Sequence, residues 1–304
     1  MEFNSILFPA PKFNLDIAND YDGELIFIPK KGYNLNNQKE TKKFIPCIFL
    51  ISTQKKICDK LLIFFHGNAE DIFLARDFGE KLKDNLNMNI LLVEYPTYSI
   101  YTYENDTNLI LENSLDIFDF LTNKLNILKE NIFVFGRSIG TAPAIYLASK
   151  RKIGALISVS AFTSIRNAAQ NLVGSFLKYF ISDRFNSIEY IKKVTCPIMF
   201  IHGRKDTLIS FQHSLQLKDN CNCPYEILLP EEMTHNKFDY INDLIIPIKA
   251  FLDKHTGFNK NLSSHVIIPN GLFNMPLFIK ENIKEFKEKN KKKGVSCLFI
   301  NSDC

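Results

Sequence analysis

Gly136-Arg137-Ser138-Ile139-Gly140 sets a serine between two glycines, in a chain with only 12 glycines among 304 residues. An apolar run, 132–135, precedes the pentapeptide, and a run of helical character, 141–149, follows it. A serine at a strand-to-helix turn is held in a strained conformation with its hydroxyl presented outward. Small residues two before and two after it keep their side chains out of that turn. The helix starting there directs N–H groups toward the reaction centre and favours negative charge. This is the pattern of a serine nucleophile, with Gly136 and Gly140 forming the elbow. The competing reading is a glycine-rich loop for a phosphate. The Lys and Ser/Thr that would complete a phosphate-binding loop do not follow Gly140.

Such a serine needs a base and a group to orient that base, and at an elbow of this kind they follow in the order Ser, Asp or Glu, His. Asp206, in GRKDTLIS, comes directly after the apolar run 197–202. That puts it in a strand-end loop, where ligand and catalytic groups of α/β sheets collect. Asp183 falls in an interrupting segment and Asp219 at a helix end, both ordinary positions for surface carboxylates. His235, in YEILLPEEMTHNKFD, lies between the last strand-like run and the last helical one. His213 and His255 sit in helical runs, and His265 lies beyond them. The expected set is Ser138 as nucleophile, His235 as general base and Asp206 as orienting acid. His66-Gly67-Asn68 follows another apolar run, and a glycine there lets the backbone approach a substrate oxygen. The backbone N–H groups of Asn68, with Ala69 as the alternative, and of Ile139 are the expected donors to a tetrahedral oxyanion. His66 and His202 are read as shaping their loops. This chemistry requires no metal and no cofactor.

The elements that must position these residues are readable from hydrophobic pattern. Eight strand-like runs recur, at 24–28, 45–51, 61–65, 89–94, 131–135, 155–160, 197–202 and 225–229. Most are near-continuous apolar stretches, as strands buried on both faces are. Helical runs at 71–86, 108–125, 141–149, 210–217 and 237–254 separate the later ones. Alternation of strand and helix predicts right-handed βαβ units. The first three runs have no helix between them, so the sheet is expected to begin antiparallel and continue parallel. The fold class is therefore α/β, with eight strands, mostly parallel, and helices on both faces. The chain divides into an N-terminal segment 1–23, one domain over 24–257 and a basic C-terminal tail 258–304. Within the domain, 161–194 reads as a short cap-like insertion.

Composition narrows the classes of function. The hydrophobic fraction is 46% and the charged fraction 23%, ordinary for a globular protein. The formal net charge is +4, and residues 279–293, with seven Lys and three Glu, account for it. A nucleic-acid-binding domain would carry its basic face within the fold, so nucleic acid is not an expected partner. Seven Cys at irregular spacing argue against a disulfide framework and for a reducing compartment. Cys221-x-Cys223 is the one close pair, and a zinc site would need two further ligands. The first residues have no secretory pattern, and no run reaches the ~18 apolar residues of a membrane span. The expected location is cytoplasmic. Lys289, Lys291, Lys292 and Lys293 precede Cys297 and Cys304. A basic stretch beside an acylated Cys would form a two-signal anchor and add peripheral membrane contact. The plainer reading of the tail is a solvated charge run.

Taken together, HGNAEDI, GRSIGTAPA, PIMFIHGRKDTLISF and MTHNKFD resemble the α/β-hydrolase superfamily. The resemblance is closest to the branch that contains α/β-hydrolase domain-containing proteins 13 and 17, and EYPTYSIYT resembles its segment after the fourth strand. It covers roughly residues 24–252. It implies an α/β-hydrolase fold, a catalytic domain over 24–257, and a serine hydrolase with Ser138, Asp206 and His235 as its triad. It also implies removal of palmitoyl groups from lipidated proteins as an activity. Two features depart from the branch. Thr97 and Ser99 stand where it usually carries Gly, and the first Cys is Cys47 rather than one of an N-terminal cluster. Three readings remain: an acyl ester or thioester hydrolase that includes protein depalmitoylation, a carboxylesterase or lysophospholipase for small esters, and a non-catalytic binding protein of this fold.

Overall fold

The computed structural model describes residues 21, 23–31, 44–52, 58–101, 107–168, 185–257, 266–276 and 280. Eight strands form one sheet: β1 (Leu25–Pro29), β2 (Phe44–Leu50), β3 (Leu61–Phe65), β4 (Asn89–Val93), β5 (Ile132–Arg137), β6 (Ala155–Val159), β7 (Ile198–Ile201) and β8 (Tyr225–Leu228). Their order is β1-β2-β4-β3-β5-β6-β7-β8. β1 and β2 pair antiparallel, as do β2 and β4, and every later pairing is parallel. The antiparallel start and parallel continuation follow the sequence expectation.

The helices are α1 (Ile72–Leu86), α2 (Thr107–Asn123), α3 (Thr141–Lys150), α4 (Ile165–Ala168), α5 (Ser187–Ile191), α6 (Gln212–Asp219) and α7 (Ile246–Thr256). Strand side chains alternate between two buried clusters. Ile26, Ile63, Val134 and Leu156 join α2, α3, α5 and α6 on one face. Phe27, Phe64, Phe135 and Ile157 join α1 and α7 on the other. Every residue of β3, β4, β5 and β6 is buried, which is why those strands read as unbroken apolar runs.

Some boundaries differ from the sequence reading. β5 runs on to Arg137, directly against the elbow. The helical run expected over 237–254 opens with a π-helical turn, Tyr240–Ile245, before α7. Pro247, at the start of α7, has no N–H to give to a regular helix crossing that point, and the wider turn absorbs the break. The ends of the expected insertion form two short helices, α4 and α5, and 169–184 lie outside the described residues. So do nearly all of 1–23 and Lys289, Lys291, Lys292, Lys293, Cys297 and Cys304. Within the stretch read as a tail, Val266, Ile268, Leu272 and Phe273 pack against the core.

Candidate active site

β5 delivers the pentapeptide. Ser138 opens a short 3₁₀ turn, Ser138–Gly140, that leads into α3. Its φ is +53°, a left-handed conformation that costs a non-glycine residue of order 1–3 kcal/mol and is held only by surrounding structure. Thr141 Oγ1 donates to the Ser138 carbonyl at 2.7 Å and closes the turn. A Cβ on Gly136 would lie 2.4 Å from the Gly140 oxygen, and one on Gly140 would lie 2.2 Å from the Phe65 oxygen. The elbow therefore presses on itself and on the end of β3, so neither position has room for a side chain. Ile139 is buried in this turn.

The other two residues arrive from neighbouring strand ends. Asp206 lies in the loop after β7 and His235 in the loop after β8. His235 Nδ1 is 2.7 Å from Asp206 Oδ2, and Nε2 is 3.0 Å from Ser138 Oγ. With a carboxylate at Nδ1, the ring proton sits there and Nε2 is left to accept from the serine hydroxyl. All three residues are less than 10% exposed. Asp206 Oδ1 accepts from the backbone N–H groups of Leu208 and Ile209 at 3.0 and 2.8 Å. His202 Nε2 lies 3.3 Å from Oδ2. Burial pushes the Asp206 carboxyl up. Hydrogen bonds from His202 and His235, the nearby His235 ring and the Ile209 N–H outweigh it, and hold the carboxyl well below the usual carboxylate range. His202 thus touches the acid itself. Its Nε2 also donates to the Ile209 carbonyl at 2.8 Å, and its Nδ1 faces Ser214 Oγ at 2.7 Å.

The loop after β3 approaches from the other side. Asn68 is half-buried there, and its Oδ1 accepts from the Tyr98 hydroxyl at 2.7 Å. Ala69 has a φ of +59°. Arg137, between Gly136 and Ser138, joins this loop to that of His235. Its Nη1 donates to Glu70 Oε1 at 2.8 Å, and its Nη2 donates to the His235 carbonyl at 3.0 Å and Asn236 Oδ1 at 2.9 Å. Glu70 Oε2 in turn accepts from the Gly67 N–H at 3.0 Å. Sequence reading passed over Arg137 and Glu70. They are 67 positions apart, and nothing local distinguishes a buried fork from a surface charge. The histidines set aside lie elsewhere: His255 bonds Glu226, and His213 Nδ1 faces Thr163 Oγ1. Asp183 and His265 fall outside the described residues.

Thr97 and Ser99, where the resembling branch usually carries Gly, have φ of +76° and +39°. Glycine adopts such values without steric cost. Ser99 compensates through its hydroxyl, which donates to the buried Glu94 carboxylate.

No protein-family profile matches the chain. Human α/β-hydrolase domain-containing protein 17B is 30% identical over 193 residues, which are 64% of this chain and 66% of that protein. The α/β-hydrolase domain-containing protein aho-3 of Caenorhabditis elegans is 30% identical over 192 residues, 63% of this chain and 57% of that protein. The matched region thus falls short of two thirds of the length of these curated relatives. Among solved structures, an esterase of Pyrococcus furiosus superposes with a TM-score of 0.61 at 15% identity, over 82% of this chain and 98% of that one. Mouse α/β-hydrolase domain-containing protein 10 gives 0.53 at 17% identity, over 76% and 98%. At those identities the solved structures speak for the fold, and the sequence relatives speak for a likeness to the domain-containing protein 17 group. The sheet order, the elbow at the end of β5 and these likenesses converge on one architecture: the chain has the α/β-hydrolase fold and is similar in sequence to the domain-containing protein 17 group.

Proposed function

We propose that this chain is a serine hydrolase that cleaves acyl esters or thioesters through an acyl-enzyme. The observation that carries the reading is the continuous relay from Asp206 Oδ2 through His235 to Ser138 Oγ, with bonds of 2.7 and 3.0 Å, ending on a serine at positive φ. In this reading Ser138 Oγ attacks the acyl carbonyl while His235 Nε2 takes the hydroxyl proton. Asp206 keeps the imidazole in its tautomer and stabilises the imidazolium. The backbone N–H groups of Asn68 and Ile139 hold the oxyanion. His235 returns the proton to the leaving alcohol or thiol. Water then repeats the sequence on the acyl-enzyme and frees the acid.

The likeness to the domain-containing protein 17 branch extends the proposal to a lipidated protein as acyl donor, met at a membrane surface with help from the basic C-terminal stretch. The reading is tested by labelling with a fluorophosphonate. Wild-type protein is expected to label and Ser138→Ala to lose the label. An unlabelled wild type would remove the enzyme reading. A series of acyl thioesters and esters of rising chain length then separates a lipidated-protein substrate, favoured by long thioesters, from small esters.

A further inference from the structure

His66 and Glu94 form a fully buried pair beside the loop after β3, each 0% exposed. Glu94 Oε1 accepts from the Tyr95 N–H at 2.9 Å, and Oε2 accepts from the Ile72 N–H at 3.3 Å and from the Ser99 hydroxyl. Three donors thus converge on this carboxylate, and the fourth group facing it is His66 Nε2, at 3.2 Å from Oε1. Nδ1, on the other side of the ring, faces the Gly67 carbonyl oxygen at 2.9 Å. A carbonyl can only accept. Both ring nitrogens therefore face acceptors, and the arrangement is satisfied when both carry a proton. Burial opposes that charge, but the hydrogen bond and charge of Glu94, the Gly67 carbonyl and the charge of Glu70 together raise the His66 pKa above its ordinary value. Other described neighbours of the ring are Asp71, which interacts with it electrostatically, and two tyrosines. Tyr95 stacks on the ring at 4.1 Å and Tyr98 lies at 5.9 Å.

The Gly67 carbonyl is one end of an amide whose other end is the N–H of Asn68. We propose that His66 is a positioning residue of the oxyanion hole: held as an imidazolium by Glu94, it donates from Nδ1 to the Gly67 carbonyl, and so orients and polarises the Asn68 N–H that receives the oxyanion. The proposal rests on the serine-hydrolase reading above. A hydrogen bond to the oxygen of an amide strengthens the donor at its nitrogen, and a cationic donor does so more than a neutral one. The preceding amide is pinned as well. The Tyr95 hydroxyl donates to the His66 carbonyl at 2.8 Å, and the Gly67 N–H donates to Glu70 at 3.0 Å. Rotation of the Gly67–Asn68 plane is thus resisted from both sides. The second glycine of the elbow packs against this same backbone, since a Cβ on Gly140 would lie 2.6 Å from the His66 oxygen. That contact brings the Ile139 end of the oxyanion hole up against the loop that His66 steadies.

Three variants and one spectroscopic measurement test the idea. In His66→Leu the donor is gone. In His66→Asn, Nδ2 takes roughly the place of Nδ1 as a neutral donor. Complete loss of an oxyanion donor costs on the order of 10²–10³ in kcat. His66→Leu, which leaves the Asn68 N–H present but unpolarised, is expected to lose roughly 10- to 100-fold in kcat with little change in KM. Affinity for a trifluoromethyl ketone, whose serine adduct carries an oxyanion, should fall by the same factor. His66→Asn should recover a substantial part of both. Equal losses in the two variants, or a rise in KM alone, would show that the ring only packs. Nitrogen-15 spectra of the wild-type histidines, with His66 assigned by comparison with His66→Asn, should show both ring nitrogens protonated at neutral pH. A neutral His66 overturns the proposal whether or not the Leu variant folds. Ser138→Ala separates the two levels: if wild type and Ser138→Ala hydrolyse equally, the serine-hydrolase reading fails, whereas full activity in His66→Leu sinks only the present inference.

Discussion

Arg137 shows how much one side chain can organise here. It occupies the variable second place of the pentapeptide, yet its guanidinium is bonded to both loops that flank Ser138. Arg137→Ala would leave Glu70 without its cation and the His235 carbonyl without a donor. Arg137 is buried but Glu70 is only half-buried, so solvent screens part of the loss, and stability is expected to fall by about 1–2 kcal/mol in denaturant melts. Because His235 is then less well placed, the rate of fluorophosphonate labelling should drop by about tenfold or more. Lys cannot reproduce the fork, so Arg137→Lys should restore little of that rate. A second prediction concerns His213. Its pKa is lowered to about 4, first by burial and then by the charge of His202. Between that value and the ordinary 6.5, the unfolded chain binds a proton that the folded chain refuses, so stability falls as pH drops through this window and is complete above it. His213→Gln should remove that slope. The expected difference between wild type and variant from pH 7 to 4.5 is on the order of 2 kcal/mol, discounted because the residue is only partly buried. At this scale Ser138, Asp206 and His235 could be picked out by their places at strand ends. Arg137, Glu70 and the Glu94 side of the His66 pair could not, since their partners are remote in sequence.

Among the described elements, the loop after β4 holds its backbone in a conformation that side chains disfavour. It carries two positive-φ residues, Thr97 and Ser99, within three positions. A β-branched residue at positive φ is disfavoured, and glycine there exchanges steric strain for chain entropy. Thr97→Gly is expected to leave stability unchanged or raise it by up to about 1 kcal/mol. Ser99→Gly should go the other way by about 1 kcal/mol, because it deletes the hydroxyl that Glu94 accepts. Thermal melts of the two variants, compared with wild type, read the opposite signs directly. The elements themselves were largely legible. The start of α1 could be placed at Asp71, whose Oδ1 accepts from the Phe73 and Leu74 N–H groups. The π-helical turn before α7 was not legible, because a single proline inside an apolar helical run does not say whether the chain bends, widens or stops.

Over the whole molecule, the sheet is closed at its β1 side by residues from beyond α7. Val266, Ile268, Leu272 and Phe273 rest on the core face that also holds α2 and α3. Their half-buried side chains contribute about 3 kcal/mol together by apolar burial. Truncation after Gly257 is therefore expected to lower the melting temperature by several degrees, more than removing only 281–304. Charge and composition pointed to a tail here and could not distinguish its packed part, since Val266 to Phe273 show no helical or strand period. What the sequence by itself determined is local. Apolar runs long enough to be buried on both faces specify strands, the alternation with helices specifies an α/β sheet, and glycines two before and two after a serine specify a tight elbow. What only the tertiary structure decided is which distant groups meet. Parallel strands place their C-terminal ends on one edge, and the order β4-β3-β5-β6-β7-β8 brings Ser138 within hydrogen-bond reach of a histidine 97 residues away. The same packing buries Glu94 against His66 and Arg137 against Glu70. Those pairings follow from strand order and register across the whole sheet, and no short stretch of chain contains the information that sets them.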